Sequence, residues 1–182
     1  MERGVDLLAF RKIQRAYQRT SRVPSIITRI MAITIRPIEA RDELVWRELW
    51  GAYNAFYEHV TPEHVTQYTW SCILAHDSPI QAIVATVADG TIIGFANYIL
   101  HPSTWSVEPV CCLEDLYVDT NRRAAGVGGM LIDWLVAEMR ARRWSRVYWL
   151  TRENNYRARA LYDKYGAHSG FLRYAIANDA SS

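Results

Sequence analysis

Arg122-Arg123-Ala124-Ala125-Gly126-Val127-Gly128-Gly129 separates an apolar run, Pro109 to Val118, from a stretch in which Val127, Met130, Leu131, Trp134, Leu135 and Met139 recur at helical spacing. The run reads as a central strand and the stretch as an amphipathic helix, with Arg140, Arg142 and Arg143 at its C-terminal end, where cations complement the helix dipole. Glycines in such a junction let backbone N–H groups approach an anion closely, and the helix N-terminus adds partial positive charge. A phosphate site is therefore physically sensible, and a plain strand-to-helix turn is the alternative. A dinucleotide fingerprint would need glycine or alanine where Leu131 stands, and a P-loop needs a lysine that this loop lacks, the only lysines being Lys12 and Lys164.

Working outward, strands and helices alternate. Residues 32 to 37 alternate and stop at Pro37, which suits a short strand, and Leu44, Trp46, Leu49, Trp50, Tyr53 and Phe56 predict a helix over about 41–57. A second helix is expected to follow Pro62 towards Ala75. Two strands, about 81–88 and 91–100, flank an Asp89-Gly90 hairpin turn. Beyond the amphipathic helix come a strand at 146–151, a helix near Tyr156 to Tyr165 and a last strand near Phe171 to Ile176. The class is α/β or α+β around one mixed sheet.

At 182 residues the chain is the size of a single domain, and with half its residues apolar and 22% charged it is too rich in core formers to be disordered. No apolar stretch is long enough to span a membrane, because Asp89-Gly90 breaks the best candidate, Ile80 to Leu100. Three cysteines, Cys72, Cys111 and Cys112, are an odd number, the adjacent pair sits in an apolar run as buried thiols would, and a reducing, cytoplasmic setting is expected. The net charge of +2 is uneven. Residues 1–30 carry seven basic side chains against Glu2 and Asp6, which leaves a mildly acidic body that gives no electrostatic reason to bind nucleic acid. We divide the chain into a basic extension, 1–30, which could be an amphipathic helix, a transit peptide or a non-catalytic appendage, and a domain, 31–182.

The glycine junction resembles the cofactor loop of the GNAT acyl-CoA N-acyltransferases, Arg/Gln-x-x-Gly-x-Gly/Ala, which Arg123, Gly126 and Gly128 fill in register. Asn155, Ala158, Leu161, Tyr162, Lys164 and Gly166 match a second family segment, Asn-x-x-Ala, then Leu-Tyr, then Lys-x-Gly. The resemblance spans 32–176 and implies a mixed, mostly antiparallel sheet flanked by helices, with acetyl-CoA as co-substrate. It implies that the amides of Ala124, Ala125, Gly126, Val127, Gly128 and Gly129 hold the pyrophosphate. The backbone of Leu116, Tyr117 and Val118 would line the pantetheine arm, with Asn155 and Ala158 in the second cofactor segment. Tyr162 would protonate the departing thiolate. Homodimer formation follows by family analogy alone.

The chemistry needs a base as well. A primary alkylamine has a pKa of about 10.4, so under about 1% is nucleophilic at neutral pH. Glu114 and Asp115 are the candidates, and because strand side chains alternate only one can face the acceptor unless a bulge intervenes. Leu113-Glu114-Asp115-Leu116-Tyr117-Val118 is similar to the spermidine/spermine and related diamine N-acetyltransferases, in which the first carboxylate is the base. That implies Glu114 as base, with Asp115 helping to hold a cation. Ser169-Gly170-Phe171-Leu172-Arg173-Tyr174 instead resembles a subgroup containing fungal histone and D-amino-acid acetyltransferases. The expected acceptor is thus a small cationic amine or an amino acid, the alternatives being a protein lysine or a non-catalytic acyl-CoA-binding module. Trp46, Trp50, Trp134 and Trp149 are expected in the core or a dimer surface, though Trp50, Tyr53 and Tyr57 could line the acceptor pocket. The histidines lack metal-ligand spacing with the cysteines, and no metal is expected.

Overall fold

A computed structural model describes residues 33–120 and 126–178; the basic extension, Arg123, Ala124 and Ala125 lie outside the described residues. Five strands form one sheet in the order β1 (Thr34–Pro37), β2 (Ile80–Thr86), β3 (Ile92–Ser103), β4 (Ser106–Val118) and β5 (Arg146–Trp149). All neighbouring pairs are antiparallel except β4 and β5, which run parallel. This is the mixed, mostly antiparallel sheet expected.

Two helices, α1 (Glu43–Phe56) and α2 (Glu63–Leu74), follow β1. They cover one sheet face, where Trp46, Leu49, Trp70 and Ile73 pack on Ala82, Val84, Ile92 and Phe95. Trp46 is fully buried, and a stack of Trp46, Trp50 and Tyr53 runs along α1 with centroid separations of 5.7 and 5.6 Å. On the opposite face α3 (Val127–Arg142) presents Val127, Leu131, Ile132 and Leu135 to Ile83, Ala85, Ile93, Ala96, Cys111 and Leu113. The last helix, α4 (Tyr156–Tyr162), adds Leu161 and Tyr162 to that second core. Gly90, at φ +86°, makes the hairpin turn, with Asp89 accepting from the Thr91 N–H at 2.9 Å. At the other end of the sheet Arg36 donates to both Asp42 oxygens, at 2.6 and 2.9 Å, and locks β1 to the turn that opens α1.

One expected element is absent. Residues 171–176 form no strand, and Phe171, Leu172, Tyr174 and Ile176 stand exposed. Apolar composition does not make a strand without a neighbouring ladder, and β5, four residues long, pairs only with β4. Among the described residues no helix is long and apolar enough to cross a membrane.

Candidate active site

β4 decides the geometry of the site. Its pairing with β3 slips by one residue: Asn97 faces Asp115, but Tyr98 faces Leu113, so Glu114 is the extra residue of a β-bulge. The bulge suspends alternation. Leu113 points into the α3 core, whereas Glu114 and Asp115 both line a cleft of about 850 Å³ on the α1 side. Both carboxylates therefore reach the space that one would have left.

The two are held differently. Asp115 is mostly enclosed, and its Oδ2 accepts from Asn97 Nδ2 at 3.0 Å, while the Tyr53 hydroxyl is a further donor. Trp46 Nε1 donates to Asn97 Oδ1 at 3.3 Å. An indole nitrogen can only donate, so the carbonyl of Asn97 must face Trp46 and its NH₂ must face Asp115. Burial pushes the Asp115 carboxyl above the usual carboxylate range, and the Asn97 and Tyr53 donors pull partly against it. Glu114 is exposed, with Cys112 Sγ donating to its Oε2 at 3.3 Å. Burial raises the Cys112 thiol to about 11, so it remains a neutral donor.

Trp50, Tyr53 and Tyr57 form an aromatic wall of the same cleft, as their spacing on α1 allowed. Tyr162 lies close enough for its hydroxyl to interact electrostatically with those of Tyr53 and Tyr57, and its ring sits 5.2 Å from that of Trp149. Burial raises its phenol to about 12, so it holds its proton at neutral pH. Glu114 and Asp115 thus line one cleft, and Tyr162, which is not among its lining residues, stands next to it through Tyr53 and Tyr57.

Past Leu113 the sheet opens. The β4–β5 ladder ends at the Leu113–Trp149 pair, while β4 runs on to Val118 beside β3 alone, so Leu116, Tyr117 and Val118 keep an edge free of ladder bonds. Gly126 precedes α3 at φ +99°, a conformation that favours glycine, and the next N–H groups, Val127 to Gly129, start the helix without intrahelical acceptors. A Cβ on Gly128 would stand 3.2 Å from Leu161 Cδ2, and one on Gly129 3.2 Å from the Tyr165 hydroxyl oxygen, so these glycines also permit the close approach of the segment around α4. Asn155 caps α4, its Oδ1 accepting from Ala158 N–H at 3.3 Å, which leaves its NH₂ as the group available for a ligand. These features fit an acyl-CoA: an extended arm can pair with the free strand edge, and its phosphates suit a helix start without side chains.

A family model described as Acetyltransferase (GNAT) family matches residues 43–167, more than half of the chain. The chain belongs to the GNAT acetyltransferases. The acetyltransferase is 35% identical over 135 residues to the D-amino-acid N-acetyltransferase HPA3 of Saccharomyces cerevisiae, covering 72% of this chain and 83% of that one. Its fold matches a ribosomal-protein-alanine N-acetyltransferase from Brucella melitensis biovar Abortus 2308, with a TM-score of 0.68 and 23% identity over 81% of this chain and 100% of that one. An aminoglycoside acetyltransferase from an uncultured soil metagenomic sample shares the fold at a TM-score of 0.66 and 19% identity, over 81% and 97% of the two chains.

Sequence reasoning missed Asn97, Arg152 and Arg173 as parts of the acetyltransferase cleft. A lone amide inside an otherwise apolar strand was the available signal for Asn97; Arg152 stands in no motif, and Arg173 lies in the segment 169–174, whose likeness pointed to a subgroup and assigned no role to that side chain.

Proposed function

We propose that the chain transfers an acetyl group from acetyl-CoA to the primary amine of a small molecule by direct attack. The observation that carries this reading is the bulge at Glu114, which sets two carboxylates in one cleft at the place where the β4 edge becomes free. Acetyl-CoA would supply the acyl group as a thioester, its arm along Leu116 to Val118 and its phosphates at Gly126 to Gly129, together with Arg123, Ala124 and Ala125. The Asn155 NH₂ would reach the arm beside Ala158.

Asp115, held by Asn97 and Tyr53, orients the incoming ammonium; Glu114 takes its proton and passes it to solvent, to which it is open. Free N–H groups on β4 polarise the thioester carbonyl. Tyr162, protonated at neutral pH, delivers a proton to the thiolate. The likeness to a D-amino-acid N-acetyltransferase favours an amino acid as acceptor. A homodimer fits the same reading, because the exposed apolar side chains of 171–176 and the outer edge of β5 are surfaces a second copy could cover.

The test is thiol release from acetyl-CoA with a panel of amino acids of both hands, diamines, polyamines and a lysine-rich peptide, repeated with Glu114→Gln. Release with one small-molecule class, slowed about a hundredfold in the variant, is the expected result. Release with the peptide alone would make the chain a protein acetyltransferase. Cofactor binding without release on any acceptor would make it a non-catalytic module.

A further inference from the structure

Arg152, just after β5, and Arg173, in the C-terminal segment, line the same cleft as Glu114 and Asp115. Arg152 Nη2 donates to the Tyr57 carbonyl oxygen at 3.1 Å, and its guanidinium stands 5.1 Å from the Tyr57 ring centroid, so it is fixed at the C-terminal end of α1. A guanidinium carries five N–H donors, and these contacts leave most of them free. Arg173 is exposed, and its charge is felt at the Cys112 thiol, which in turn donates to Glu114. Neither arginine forms an ion pair with an acid among the described residues. The cleft thus holds three carboxylates, Glu58, Glu114 and Asp115, and two guanidiniums, with no ion pair between them.

Such a lining selects for ligands of both signs. A diamine can pair only with the carboxylates, and the two guanidiniums in the same cleft offer it no partner and repel it. A zwitterion satisfies both ends, and a guanidinium matches a carboxylate in a forked, two-bond geometry. The ammonium and carboxylate of an α-amino acid are separated by a single carbon, so the two subsites must adjoin. Arg173 meets that condition by lining the same cleft as Glu114, with its charge felt at the Cys112 thiol that donates to Glu114.

We propose that Arg152 and Arg173 form a carboxylate subsite that makes this cleft selective for α-amino acids over diamines and simple amines. The proposal rests on the acetyl-transfer reading above and names the acceptor class of that site. The aromatic wall of Trp50 and Tyr53 lies beside these groups and suits an apolar side chain on the acceptor.

The experiment compares kcat/KM for phenylalanine, each enantiomer separately, with that for 2-phenylethylamine and for a diamine. It uses the full chain and its Arg173→Gln, Arg173→Lys and Arg152→Gln variants. Taking the amino-acid to amine ratio within each protein cancels the variant's effect on steps common to both acceptors. The parent is expected to favour one or both amino acids. The ratio should fall about tenfold to a hundredfold in Arg173→Gln, the range for losing a hydrogen bond to a charged group, and recover in part in Arg173→Lys. Arg173 is exposed, so its substitution leaves the fold intact; Arg152→Gln, which loosens the end of α1, is the second measure of the same ratio. A ratio equal in all four proteins, or a diamine as the best acceptor of the parent, overturns the subsite and leaves acetyl transfer standing. If no acceptor releases thiol, acetyl transfer falls. Calorimetric titration of the same amino acid and amine into the parent and Arg173→Gln then decides the subsite alone: it stands if the parent prefers the amino acid and the variant does not, and falls otherwise.

Discussion

Replacing Asn97 by leucine separates the role of the Trp46–Asn97–Asp115 chain in activity from its role in stability. The two side chains have similar size, so the main change is the loss of an acceptor for Trp46 and a donor for Asp115. The indole N–H then sits buried without a partner, at a cost of about 1–3 kcal/mol. Asp115 loses a hydrogen bond to its charged form, worth about 1.5–3 kcal/mol, or roughly one to two pKa units at 1.36 kcal/mol each. Its pKa is already raised by burial, so the loss raises it further. The acid limb of the pH profile of kcat/KM should therefore move to higher pH by about one to two units.

Stability follows the same sign. A carboxyl whose folded pKa exceeds its unfolded value, near 3.9, favours folding at low pH and loses that contribution as pH rises through the folded pKa. Both proteins share one unfolded state, so urea melts of the leucine variant should show a deficit relative to the parent that grows as pH rises from the parent's raised Asp115 pKa through the variant's still higher one. If the acid limb and the pH dependence of the deficit both match the parent, Asp115 is not the group that titrates and its orienting role fails.

Tyr162→Phe should lower kcat by about 10²-fold or more while leaving acetyl-CoA affinity by calorimetry within a few-fold, because only the proton donor is removed; an unchanged kcat would remove Tyr162 as the acid. Asp42→Asn should cost about 1–3 kcal/mol at neutral pH, since it breaks a two-bond pair with Arg36 on a buried carboxylate. The Arg36 guanidinium holds the Asp42 carboxyl below its usual value, so this stabilisation is complete above about pH 4 and fades as pH falls through the depressed pKa. Urea melts of Asp42→Asn and the parent should accordingly converge in strong acid.

Local chemistry made most of the fold readable. Aromatic and aliphatic spacing located α1 and α3, the Asp89-Gly90 pair located the β2–β3 hairpin, and two spaced motifs identified the family. The bulge at Glu114 was not readable, because a bulge is a relation between β4 and β3 and leaves no mark in the β4 sequence by itself. Alternation could say only that one carboxylate faces the cleft unless register slips. Arg152 and Arg173 escaped for a similar reason: an arginine just after a strand, or one inside a segment read only as a family likeness, looks like any solvated one until the chain brings it to a shared cavity. Residues 171–176 erred the other way, since their apolar pattern is that of a strand but strand formation requires a neighbour with unpaired backbone groups.

The shortness of β5 governs what the sheet can bind. Four residues of parallel ladder hold the middle of β4, Val110 to Leu113, in place, and then β5 leaves, although Leu150 and Thr151 would suit a strand. Had the ladder continued for a few more rungs, the amides of Leu116 to Val118 that face outward would have been sealed by the protein's own carbonyls. Instead they stay open to exchange with solvent deuterium and to any extended chain of matching length. An occupant there should slow that exchange at a handful of β4 amides and raise the melting temperature with its concentration. Ligand binding and completion of the sheet would then be one event, measured by two instruments.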